Sequence, residues 1–155
     1  MKKLILSLVA LSCITLVQAA EQFVSFVKQA DAVSITHATI SYSENEYEGV
    51  KIAIQNLQSD MQNVLGKAPV LQEGTGKKST ILVGTIGKNK EIDALKLADL
   101  KGKREKFIIT TTADGQVVIA GSDKRGTIYG VYELSRQLGV SPWYWWADVP
   151  AEKQS

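Results

Sequence analysis

The stretch that most restricts how this chain can fold is 121–150, G-S-D-K-R-G-T-I-Y-G-V-Y-E-L-S-R-Q-L-G-V-S-P-W-Y-W-W-A-D-V-P. It holds a tight turn, one helix and an aromatic run. Asp123 is placed to cap the helix, because its carboxylate can accept from the free N–H groups of the next turn. Ile128, Val131, Leu134 and Leu138 recur at helical spacing and predict the buried stripe. Gly139 suits the position just past the helix, and Pro142 stops any continuation. Gly126 and Gly130 lie four apart and so share a face. Without side chains there, another backbone can approach closely. Trp143, Trp145 and Trp146 are all the tryptophans of the chain. So much aromatic surface has to be buried or used.

The segments before this helix fix the sheet. Segments 105–111 and 116–120 alternate apolar and polar residues around Ala113-Asp114-Gly115. An Asp-Gly pair between such runs predicts a hairpin, so part of the sheet must be antiparallel. Segment 80–84, T-I-L-V-G, is a short apolar run bounded by turn residues, as in a central strand. A modest helix is expected over 88–100 on Ile92, Leu95 and Leu97, and a Gly/Lys-rich loop over 73–79.

Upstream, segments 23–27 and 33–42 read as strands on either side of a turn near Gln29-Ala30-Asp31, with His37 inside the second. Ser43-Glu44-Asn45-Glu46 has the spacing of a capping box and predicts a helix from Ser43. Val50, Ala53, Ile54, Leu57, Met61, Val64 and Leu65 mark its apolar face, Gly66 its end, and Val70-Leu71 a following strand. The order predicts an α/β (α+β) domain: a mixed parallel and antiparallel sheet with two long helices packed on it.

The first residues stand outside this domain. Lys2 and Lys3 precede an apolar run over 4–16, and Val17-Gln18-Ala19 fits a small-residue cleavage site. That pattern predicts a signal peptide over 1–19 and an exported, periplasmic or extracellular product, with no membrane span. Leu11-Ser12-Cys13 resembles a lipoprotein box, but the apolar run continues beyond Cys13, which favours ordinary cleavage. Cys13 is the single cysteine, so the exported part would carry no disulfide and no thiolate. Taking Lys2 and Lys3 from 18 basic residues leaves 16 against 16 acidic ones. A neutral domain offers no electrostatic footprint to nucleic acid or anionic lipid.

Motifs for phosphate or metal chemistry are weak. The runs at Gly76-Lys77 and Gly87-Lys88 lack the first glycine and the final Ser or Thr of a P-loop. Residues 121–126 sit correctly between strand and helix but lack the G-x-G-x-x-G order, which favours a capped turn over a dinucleotide site. His37 is the one histidine, too little for a metal site. No cofactor is expected.

The segment K-R-G-T-I-Y-G-V-Y-E-L-S-R-Q-L-G-V-S-P-W-Y-W-W-A-D-V-P resembles the close of the N-terminal domain of glycoside hydrolase family 115, α-glucuronidases that trim glucuronic acid from xylan. More loosely, R-G-x-x-Y-G after a short strand resembles the domain before the catalytic barrel in several other glycosidase families. The resemblance implies an N-terminal domain over 20–142 and, over 143–155, the start of a linker into a C-terminal catalytic barrel that this chain lacks. It implies an intact enzyme that removes (4-O-methyl)glucuronic acid from glucuronoxylan, with inversion and without a cofactor. The family's catalytic residues lie downstream, so none is assigned here. Glycoside hydrolysis needs two carboxylates facing one bond, and nothing in the spacing of Glu133 and Asp148 brings them together. The residues expected at the domain interface or beside substrate are Arg125, Gly126, Gly130, Trp143, Trp145, Trp146 and Asp148. The alternative is a stand-alone carbohydrate-binding or interaction module whose platform is the Trp cluster.

Overall fold

The computed structural model describes residues 23–27, 30, 32–74, 76 and 78–141. Five strands form one sheet in the order β2-β1-β3-β5-β4. They are β1 (Thr39–Tyr42), β2 (Val70–Glu73), β3 (Ile81–Thr85), β4 (Phe107–Thr111) and β5 (Val117–Gly121). β1 pairs in parallel with β2 and β3, and β3 in parallel with β5. β4 runs antiparallel to β5, with Thr111 opposite Val117. The Asp-Gly hairpin thus supplies the one reversed strand, and the mixed sheet expected from sequence is the sheet observed.

Side-chain alternation sends β3 to two cores. Ile81 and Val83 join Ile119 beneath the long helices α1 (Glu48–Leu65) and α3 (Lys124–Gln137). Ala53, Ile54, Leu57 and Met61 of α1 and Val131 and Leu134 of α3 complete that side. Leu82, Val118 and Ala120 face the other way, under Ile92 and Leu100. Every residue of β3 is buried, and its run is apolar up to Thr85, whose polar groups are bonded to Glu46.

Several elements are shorter than expected. Segment 23–27 is irregular, and of 33–42 only Thr39–Tyr42 pairs in the sheet. His37 lies in an exposed turn, not in a strand. Over 88–100 the helix α2 (Lys90–Ala94) ends near Lys96, whose φ of 50° is left-handed, and a 3-10 turn (Ala98–Leu100) follows. Asn89 caps α2 by accepting from the backbone N–H of Glu91 and Ile92.

The start of α1 also differs. The helix begins at Glu48 after Tyr47, with no side-chain cap. Ser43 and Glu46 close a tight turn instead: Glu46 N–H donates to the Ser43 carbonyl at 3.1 Å, and Asn45 N–H donates to the Ser43 hydroxyl at 3.2 Å. The Glu46 carboxylate is drawn away to the end of β3, at Thr85.

The exit from α3 follows the sequence closely. Gly139 has φ 91° and donates to the Arg136 carbonyl, while Val140 donates to the Ser135 carbonyl at 3.1 Å. These paired bonds satisfy carbonyls that the helix end would leave open.

Candidate functional site

In an open α/β sheet the natural ligand crevice lies at the carboxyl ends of the strands, where successive connections leave in opposite directions. Here that point falls between β1, whose chain goes on to β2, and β3, whose chain goes on toward β4. A side-chain clasp crosses it. Glu46, only 6% exposed, accepts from Thr85 N–H at 2.9 Å, from the Thr85 hydroxyl at 2.8 Å and from Tyr47 N–H at 3.0 Å. The Thr85 hydroxyl also meets the Thr127 hydroxyl at 2.6 Å, and Thr127 donates to the Asp123 carbonyl at 3.0 Å. The clasp therefore ties the loop after β1, the end of β3 and the first turn of α3 in one line. It sets a carboxylate where a phosphate-binding α/β domain sets glycine N–H groups. Outside it lies a polar hollow of about 440 Å³ bordered by Ser43, Asn45, Lys88, Lys90 and Asp93. Lys88 there lies over the Tyr47 ring at 4.6 Å.

Asp123 anchors the next turn as the sequence predicts. One carboxylate oxygen accepts from Gly126 N–H and the other from Glu105 N–H, each at 2.8 Å. The Glu105 and Gly126 N–H groups hold its carboxyl below the usual range. One residue thus caps α3 and fastens the entry to β4.

The glycines expected at an interface have a partner inside this domain. A Cβ on Gly126 would stand 2.3 Å from the Lys106 carbonyl oxygen. On Gly130 it would stand 2.8 Å from Ile119 and 3.2 Å from Phe107. Both glycines are buried, so the bare face of α3 admits the domain's own hairpin. Arg125 pairs with Glu105 at 2.9 Å and donates to the Tyr129 hydroxyl at 2.9 Å, in an exposed position. Trp143, Trp145, Trp146 and Asp148 lie outside the described residues.

A groove of about 670 Å³ lies where α1 and α3 meet the start of β4. Phe107, Tyr129 and Tyr132 form apolar walls, and Val140 and Ser141 form one end. Glu133 and Arg136 at its rim pair with each other at 2.6 Å. Asp60, only 2% exposed, lies in the floor. Burial pushes its carboxyl up. The Ser135 hydroxyl beside it pulls the other way without completing a well-formed hydrogen bond, so burial dominates. Sequence patterning passes over this site, although a signal exists. Asp60 stands on the apolar stripe between Leu57 and Val64, where a charged residue has no ordinary reason to be.

Among the described residues no group of three or more His, Cys, Asp or Glu could hold a metal ion, and no helix is long and apolar enough to cross a membrane. The profile of the family described as Glycosyl hydrolase family 67 N-terminus matches residues 23–134. The chain belongs to that family. This glycosidase N-terminal domain is also similar to a solved structure described as a novel family GH115 4-O-methyl-alpha-glucuronidase, BtGH115A, with specificity for decorated arabinogalactans. The two share 41% sequence identity and a TM-score of 0.68. The match covers 76% of this chain but 15% of that one. No curated protein matches. The domain family is thus that of family 67, while the likeness to family 115 rests on the solved structure. The Trp run lies beyond the family match.

Proposed function

We propose that this chain is the non-catalytic N-terminal domain of an exported glycoside hydrolase that removes (4-O-methyl)glucuronic acid from xylan. Its part is to brace a catalytic barrel C-terminal to it, with Trp143, Trp145, Trp146 and Asp148 in the seam. The observation that carries this reading is the 41% identity to a 4-O-methyl-α-glucuronidase of which the match covers only 15%. The clasp supports it, because Glu46 and Thr85 engage each other where an α/β domain would hold a ligand. The similar structure is named for decorated arabinogalactans; for this protein the substrate proposed is glucuronoxylan, on the strength of the W-Y-W-W-A-D-V motif.

The test starts with the reading frame. The frame should continue past Ser155 for several hundred codons. The extended protein should release 4-O-methylglucuronic acid from glucuronoxylan, and the 155-residue chain should release none. A stop codon after Ser155, with retention on xylan that disappears in Trp145→Ala, would make the chain a carbohydrate-binding module instead. Release from arabinogalactan alone would keep the role and replace the substrate.

A further inference from the structure

The groove between α1 and α3 holds a carboxylate without a cation. Asp60, in its floor, is 2% exposed. Among the described residues it forms no ion pair. The buried Ser135 hydroxyl beside it completes no hydrogen bond. Among the same residues Arg136 is the one cation that borders the groove, and it is taken up by Glu133. Its Nε donates to that carboxylate at 2.8 Å and its Nη2 at 2.6 Å. The rim pair cancels, which leaves the groove with the charge of Asp60.

The walls suit a cation as well. Phe107, Tyr129 and Tyr132 line the groove, and aromatic rings attract positive groups to their faces. Tyr129 already has the Arg125 guanidinium over its ring, 5.8 Å from the centroid. Asn56 holds Tyr132 in place by donating to its hydroxyl at 2.9 Å. A buried carboxylate needs both donors and opposite charge, and a neutral donor supplies only the first. Of the two cationic side chains, the lysine ammonium is the more strongly hydrated and costs more to take out of water. A guanidinium is flat, stacks on aromatic side chains and gives a carboxylate two parallel N–H bonds. It has further N–H groups for an acceptor such as Ser135 Oγ.

The place of the groove points to the source. Val140 and Ser141, where the chain leaves α3, form one end of it. Val140 N–H is bonded to the Ser135 carbonyl at 3.1 Å, so the exit is fixed beside the floor. A domain that follows this one therefore starts out next to the groove. We propose that the groove is the seat of an arginine side chain from the C-terminal domain, with its guanidinium on Asp60 and its stem against Phe107 and Tyr132. The source rests on the role proposed above, whereas the site is testable without it.

N-acetyl-L-argininamide is the probe for the 155-residue chain. It should shift the ring resonances of Phe107 and Tyr132 and the carboxyl carbon of Asp60 in a saturable way. N-acetyl-L-citrullinamide has the same shape without the charge, and should bind about tenfold more weakly. Asp60→Asn should weaken binding of the arginine probe by a similar factor, with far-UV circular dichroism unchanged. The citrulline comparison needs no variant and decides the matter if that one fails to fold. In the protein extended through its C-terminal domain, the probe should leave these resonances unmoved, because the groove is filled. Absence of saturable shifts in the 155-residue chain, or equal binding of the two probes, would overturn the proposal. So would equal binding of the arginine probe by the chain and the extended protein. Release of 4-O-methylglucuronic acid by an extended protein whose groove still takes the probe would remove this seat and keep the role.

Discussion

Two buried carboxylates sit at different places in this domain, and their surroundings are opposite. Glu46, at the carboxyl edge of the sheet, accepts from two backbone N–H groups and one hydroxyl, and that hydroxyl is itself bonded to Thr127. Asp60, under α3, is less exposed still, yet faces one serine hydroxyl in poor geometry. The difference teaches how burial should be read. A buried carboxylate with its acceptors filled joins elements together, whereas one with acceptors open is costly until a donor arrives. The first cluster is a structural fastener, and the second is a local energetic cost.

The largest effect expected from breaking this contrast is at Thr85. Thr85→Val removes a donor from Glu46 and a partner from Thr127 at once, and should cost about 3 kcal/mol of stability, read as a lower urea midpoint. Gly126→Ala forces a Cβ against the Lys106 carbonyl and should cost about 2 kcal/mol in the same assay. Asp123→Ala loses the α3 cap and should cost about 1 kcal/mol. Asp60→Asn should do the reverse and raise stability at neutral pH by up to about 1 kcal/mol, because a neutral group replaces a buried carboxylate. Smallest of all, Arg136→Met at the groove rim should stay within about 0.5 kcal/mol, since the pair with Glu133 is largely solvated.

Acidity separates the two aspartates by sign. The folded state holds Asp123 below its ordinary range, so its contribution is present at neutral pH and is lost as pH falls through the lowered value. The deficit of Asp123→Ala should therefore shrink on acidification. Burial holds Asp60 above its ordinary range, so its contribution is present below that range and is lost as pH rises through the raised value. The gain from Asp60→Asn should be absent near pH 3 and grow toward neutrality. Urea melts across that range check both.

Sequence reasoning succeeds where the causes are local. The Asp114-Gly115 turn, the Asp123 cap, the Gly66 and Gly139 helix ends and the apolar run of β3 each depend on a few adjacent residues. It fails where a distant partner competes. Ser43 and Glu46 have ideal spacing for a helix cap, but Glu46 finds better donors on Thr85, 39 positions away. The short α2 has a local origin that patterning misses, the left-handed turn at Lys96. In the candidate site, Asp123 is readable as a cap. Its second bond to Glu105 is not, because it depends on how the hairpin returns. Asp60 is visible as an acid on an oily stripe, but only the packing of α3 across it shows that it has too few donors.

The reversed curl at Gly139 has a consequence for anything attached downstream. Because Val140 is pinned to Ser135, the departing polypeptide takes its heading from α3 rather than from a swivel. An extra residue inserted just before Gly139 would turn that heading by about 100° around the helix axis, the angle between successive helical residues. A neighbouring body would then be presented with the wrong flank of this one, although every residue of the core had kept its place.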